Sequence, residues 1–163
     1  EANYLFDIPE SQIDIVVHPQ SIIHSMVTYI DGSTIAQLSN PNMEVPIANA
    51  LGIEARLPIQ FEELNLSELN LSFEPIPDGR QGIFEIAREV CNLKGNSGVI
   101  MNAANEVAVN AFLNKKILFS EIYDVIERTF AHFQCSKLST LEDVFDYDKQ
   151  ARIHAEKVIK SVH

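Results

Sequence analysis

The sequence predicts an α+β chain in two parts: a partial sheet with helices through about residue 52, then, beyond a linker, an antiparallel helical bundle from about residue 80. Three observations predict it. Asp31-Gly32 stands between two runs rich in β-branched residues, and this dipeptide is the pairing that a type I′ hairpin turn prefers. From Ile83 onward apolar residues recur at helical spacing in successive stretches separated by short breaks. Between these regions, residues 53–79 carry Pro58, Pro75, Pro77 and the acidic pair Glu62-Glu63 with no sustained period, which reads as a linker crossing a surface.

The first element is expected to be incomplete at its start. Glu1-Ala2-Asn3-Tyr4-Leu5-Phe6 reads as the last turns of an amphipathic helix with no N-cap before it, so further residues upstream are expected. Residues 13–18 are rich in β-branched types and end at Pro19, as a strand running into a loop would. The hairpin arms are residues 25–30 and 33–38. Met26, Val27, Tyr29, Ile30, Ile35 and Leu38 place apolar groups on both faces, so the sheet needs helices on one side and a second subunit on the other. Asn40-Pro41-Asn42-Met43 is a turn, after which Pro46 opens a short helix over 47–51.

In the bundle, Ile83, Ile86, Ala87, Val90 and Cys91 form one apolar stripe that stops at Gly95. Ala103, Ala104, Val107, Ala108, Ala111 and Phe112 form the next. A third helix runs over 121–133 with Ser120 as its expected N-cap. Ser139-Thr140-Leu141-Glu142 then has capping-box spacing, and Ala151, Ala155, Val158, Ile159 and Val162 face inward on the last helix.

Composition narrows the function classes. The 163 residues are 46% hydrophobic, as in ordinary globular proteins, and no apolar run approaches the roughly 18 residues of a membrane-spanning helix. No signal peptide is legible either, so the expectation is a soluble protein of the cytoplasm that does not bind membranes. A net charge of −11, from 12 basic and 23 acidic residues, repels polyanions and argues against nucleic acid as a partner. Cys91 and Cys135 lie outside any ligand or redox spacing and fall in apolar helical patterns, as reduced core residues would.

The densest group of chemically capable residues is His18-Pro19-Gln20-Ser21-Ile22-Ile23-His24-Ser25, in a connection between strands where α/β proteins place ligand contacts. His24 reads either as a hydrogen-bond donor or general acid/base for a polar substrate, or as a histidine tying down its own loop. His18 ends an apolar strand and has the weaker functional case. Ser21 lacks the Gly-x-Ser-x-Gly setting of a hydrolase nucleophile. Neither His18 with His24 nor His154 with His163 has the i, i+4 spacing of a helical metal pair, and no glycine-rich phosphate loop is present. Asn102 and Asn105, with Glu106, can share a helical face near a helix start and read as structural hydrogen-bonding groups.

Several of these segments together carry a resemblance. Glu1-Ala2 with Leu5-Phe6, His18 through Val27, Asp31-Gly32-Ser33, Ala36-Gln37-Leu38, Asn40-Pro41 with Met43, Pro46-Ile47-Ala48, Asn102 through Val109, and Ala111-Phe112-Leu113 follow one another as in the 1-deoxy-D-xylulose 5-phosphate reductoisomerase family. The chain resembles that family's C-terminal part: the end of the catalytic domain (1–52), a linker (53–79) and the C-terminal helical bundle (80–163).

The resemblance implies a cytoplasmic enzyme of isoprenoid biosynthesis by the non-mevalonate route. It implies NADPH and Mg2+ or Mn2+ as cofactors, a phosphorylated sugar as substrate, and a homodimer, for which the two apolar faces of the hairpin sheet make it the candidate contact. It implies that His24, with Ser21 beside it, lies in the substrate wall, and that Met43, with Pro41, lies near the nicotinamide ring. The family's acidic metal ligands and phosphate-binding residues precede Glu1, so no catalytic residue or metal ligand is assigned within the chain, and the chain alone is expected to be inactive. Arg80-Gln81-Gly82-Ile83-Phe84 departs from the family's usual entry into the first bundle helix. The alternative reading is a non-catalytic module that dimerises through its sheet and binds a partner through its bundle.

Overall fold

The structure is a computed structural model and describes residues 2–52, 55, 57 and 62–162. Glu1 at the expected helix end, Pro58 in the expected linker, and His163 lie outside the described residues. Two compact units are formed, one from Glu1–Asp14 with Pro77–His163 and the other from Ile15–Ile76. The fold is α+β and mostly helical, as expected, with a two-stranded antiparallel sheet.

The helical unit contains α1 (Ala2–Phe6), a 3-10 turn (Glu10–Gln12), α3 (Gly82–Leu93), α4 (Ser97–Leu113), α5 (Glu121–His132) and α6 (Leu141–Val162). Small residues let α4 and α6 approach closely: Ala103, Ala104 and Ala108 of α4 and Ala151 and Ala155 of α6 are fully buried. Val125 and Ile126 of α5 close the same core, and Ile86 and Val90 of α3 join it. Arg88 of α3 pairs with Glu10 and donates to the Ile13 carbonyl at 3.1 Å, which ties the opening turn of the chain to the bundle.

Two bundle-helix starts differ from expectation for local reasons, and a third forms where expected but without the expected side-chain cap. α4 begins at Ser97, so Asn102, Asn105 and Glu106 sit inside the helix and not at its start. The break before it is made by Gly95, whose φ of +59° is open to glycine, and by Asn96. The fully buried Asn96 amide donates to Gln134 O at 3.0 Å and accepts from Ser136 N at 2.9 Å. α5 begins at Glu121 with Ser120 at its N-cap position, as expected, but the Ser120 side chain makes no capping bond, and the Glu121 carboxylate accepts from the Leu118 N–H at 2.6 Å. The last capping box is shifted by one residue: Thr140 Oγ1 accepts from Asp143 N–H at 3.1 Å, while Asp143 accepts from the N–H groups of Ser139 and Thr140 at 2.8 and 2.9 Å. Cys135 is exposed and lies beyond α5, not in a helical core, whereas Cys91 is half-buried in α3.

The sheet-bearing unit contains β1 (Ile23–Thr28), β2 (Thr34–Leu38) and α2 (Glu44–Leu51). The hairpin forms where expected, but its turn is a three-residue loop. Tyr29 O accepts from Gly32 N at 2.9 Å, Tyr29 N donates to Ser33 O at 2.8 Å, and Gly32 carries a positive φ that Asp31 does not share. This is a type I turn closed by a glycine, the next most common hairpin connection after the two-residue turns. Asp31 accepts from the Ser33 N–H and hydroxyl at 2.9 and 2.6 Å, and the hydroxyl bond chiefly holds its carboxyl below the usual range. Residues 13–18 do not form a strand; only Val17 pairs, with Glu74. α2 starts at Glu44, earlier than Pro46 alone implies, because Asn42 Oδ1 accepts the Glu44 N–H at 2.8 Å.

Candidate functional site

The register of the hairpin decides how His24 is presented. Ile23 pairs with Leu38 and Ser25 with Gln37, so β1 spends one more residue than β2 over this step. The surplus residue is His24, and a β-bulge re-aims the side chain it carries. The His24 Nε2–H donates to Ser39 O at 3.1 Å, which leaves Nδ1 as the acceptor side of the neutral ring.

An open groove of about 610 Å3 lies beside this bulge, lined by His24, Gln37 and Ser39 of the hairpin and by residues from Pro41 to Asn49. Met43 and Pro41 are exposed on its wall, and Val45 and Pro46 extend the apolar lining. The Asn42 cap sets the position of Met43 at the entry of α2. Three of the four expected site residues, His24, Pro41 and Met43, therefore share one groove. Sequence reasoning gave no site role to Gln37, Asn42 or Asn49, the other amide-bearing residues of that lining; the cues were that Gln37 falls in a segment carrying the resemblance and that Asn42 flanks Met43 in a turn.

Ser21 is not among the residues that line the groove. It is exposed in the left-handed region at φ 52°, with its N–H donating to His18 O at 3.0 Å. Ile22, 8% exposed, anchors the chain between this turn and the bulge, and its carbonyl accepts the Ser39 N–H at 3.0 Å. His18 donates Nδ1–H to Ser72 O at 2.7 Å and stacks on Phe73 with ring centroids 4.9 Å apart.

Asn102 and Glu106 have the structural role expected of them. Asn102 donates to Glu106 at 3.1 Å, and Arg152 of α6 bonds both Glu106 at 2.6 Å and Asp148 at 2.8 Å. The bond from Arg152 chiefly lowers the Glu106 carboxyl below its usual range. Among the described residues, no three His, Cys, Asp or Glu side chains gather to hold a metal ion. No described helix is long and apolar enough to cross a membrane.

The family model of the DXP reductoisomerase C-terminal domain matches residues 38–154. The 1-deoxy-D-xylulose 5-phosphate reductoisomerase of Zymomonas mobilis is 42% identical over 163 residues, which is 99% of this chain and 42% of that protein. The enzyme of the same name from Endomicrobium trichonymphae is 41% identical with the same coverage. The chain thus spans about 42% of the length of the curated relatives it matches. Among solved structures, the Zymomonas mobilis reductoisomerase in complex with NADPH superposes with a TM-score of 0.88 at 42% identity, covering 98% of this chain and 43% of that one. A DOX-P reductoisomerase in complex with NADPH, fosmidomycin and magnesium gives 0.85 at 34% identity, covering 99% and 42%. With the family model matched over most of its length, the chain belongs to the DXP reductoisomerase C-terminal domain family.

Proposed function

We propose that this chain is the C-terminal part of an NADPH- and divalent-metal-dependent reductoisomerase that converts 1-deoxy-D-xylulose 5-phosphate to 2-C-methyl-D-erythritol 4-phosphate in the cytoplasm. The observation that carries the reading is the groove at the His24 bulge, in a chain 42% identical to an enzyme of that name. In this reading the domain order is the end of the catalytic domain (1–52), a linker (53–79) and the helical bundle (80–163). The parent is a homodimer, and the exposed apolar Met26, Val27, Tyr29 and Ile35 of the hairpin support the sheet as its contact.

Within the site, His24 presents its ring from a bulge held by Ser39, suited to a hydrogen bond with a substrate oxygen. Ser21 offers a hydroxyl from the turn that precedes it. Met43 and Pro41 supply an exposed, polarizable and apolar lip that fits the face of a nicotinamide ring. NADPH, when bound, supplies the hydride; the role of these residues is to orient the ring and keep water from it. Among the described residues no three His, Cys, Asp or Glu side chains gather, so in this reading Mg2+ or Mn2+ belongs to ligands other than these.

The test uses a full-length chimera in which this chain replaces the aligned 42% of the Zymomonas mobilis relative. The expected result is metal-dependent NADPH oxidation with the sugar phosphate, and a kcat/KM lowered about 100-fold by His24→Ala. The 163-residue chain alone is expected to give none. A folded chimera that binds NADPH without turnover, or turnover by the chain alone, refutes the reading; the first outcome favours a non-catalytic dimerisation module.

A further inference from the structure

We infer that His18 is a positioning residue, which holds the turn carrying Ser21 and leading to His24 by clamping it to residues 72–74. The inference rests on the reading above for the claim that this wall meets substrate, but the clamp itself stands on geometry.

Backbone pairing between the two segments is minimal. Val17 and Glu74 exchange two hydrogen bonds of 2.9 Å, and the ladder extends no further. Two bonds at the edge of a unit contribute little net stability against solvent. Side chains supply the rest. His18 donates Nδ1–H to Ser72 O at 2.7 Å and lays its ring against Phe73 at an interplanar angle of 23°. Gln20 donates to Ser72 Oγ at 2.8 Å and accepts from Ser72 N at 3.2 Å.

Beyond the clamp, the chain does something that needs such support. Ser21 adopts a left-handed conformation, which disfavours a residue bearing a Cβ and persists when the surroundings over-determine it. Its N–H returns to His18 O at 3.0 Å, so the turn is built directly on the clamped residue. On the other side, Ser39 holds both Ile22 O and the His24 ring. The substrate wall is thus suspended between two anchors, Ser39 within the hairpin and residues 72–74 far along the chain.

His18 is the member of the upstream anchor that joins a directed bond to a ring contact. The acceptor is a carbonyl, so the proton must sit on Nδ1. Nε2 is buried without a partner among the described residues, so it takes no part in the clamp.

The full-length chimera tests this. His18→Phe keeps the ring and loses the donor, whereas His18→Asn keeps a donor near the Nδ1 position and loses the ring. In His18→Phe, the amides of Val17, Ser21 and Glu74 are expected to exchange hydrogen faster. The KM for the sugar phosphate is expected to rise about tenfold with the KM for NADPH unchanged. His18→Asn is expected to restore most of both. Should His18→Phe fail to fold, the pair Gln20→Ala with Ser72→Ala, which removes the exposed half of the clamp, is expected to produce the same changes at smaller size. Unchanged exchange and unchanged substrate KM overturn the inference, as does an equal rise in both KM values. A chimera without turnover overturns the functional reading, and amide exchange alone then decides the clamp.

Discussion

Glycine positions separate backbone strain from steric conflict residue by residue. Gly95 has φ +59°, and a Cβ there would meet the backbone oxygen of Ser136 at 2.2 Å. Gly79 has φ +81° with open space around it. Gly79→Ala is therefore expected to cost about 1 kcal/mol from the left-handed conformation alone. Gly95→Ala is expected to cost about 3 kcal/mol, because the 134–136 chain must also move. Urea unfolding of both variants checks this, and equal costs would contradict it. At this scale the residue types of the candidate site were legible, since His24 and Met43 stand in recognisable local company. The bulge at His24 was not, because a bulge is a difference in count between two paired strands and exists only once they pair.

At the level of elements, caps and register carry the energetic detail. Thr140→Ala is expected to destabilise the bundle by about 1 kcal/mol through loss of the α6 cap, and Ser139→Ala by much less, since Ser139 engages through its backbone N–H. Chemical denaturation distinguishes the two, and the opposite order would return the cap to the Ser139 to Glu142 spacing. Asn96→Ala is expected to cost about 2 to 3 kcal/mol, because it leaves Gln134 O and Ser136 N without their buried partner. Helical stripes predicted α3, α4, α5 and α6 because one apolar face per helix is a local pattern. Their starts were less legible, because Asn96 is held by Gln134 and Ser136 far along the chain, and because the run from Ser139 to Asp143 offers two overlapping capping spacings, of which the folded chain uses the second.

For the whole molecule, acid should act in two stages. Burial chiefly, with the charges of His132 and Lys157, pushes His154 below its usual 6.5. His132 stacks on it at 3.8 Å between ring centroids. Stability from the neutral His154 ring is full above about 6.5 and is lost as the pH falls from there toward the lowered folded value. Glu106, held down chiefly by Arg152, and Asp143, held down chiefly by the Ser139 N–H, start from usual values of 4.5 and 3.8. Their contributions are present above those values and are lost as pH falls through the lower folded ones. Unfolding midpoints measured against pH should therefore drop first as the pH falls below 6.5 and again as it falls below 4.5, and His154→Leu should abolish the first drop. In the full-length chimera, Val27→Lys with Ile35→Lys is expected to shift the homodimer proposed above to monomer in sedimentation. An unchanged dimer would move the contact elsewhere.

Sequence by itself determined the family, the α+β class, the hairpin, and His24, Pro41 and Met43 of the groove, because periodicity, turn chemistry and motif order are local properties of the chain. Tertiary structure decided what depends on residues meeting across distance. It made residues 13–18 a single bridge to Glu74 instead of a strand, placed His24 in a bulge, left Cys135 exposed, and set the Ser21 turn on a clamp to residues 72–74. The physical reason is the same in each case: a strand, a bulge or a buried polar group is defined by its partner, and the partner lies far along the chain.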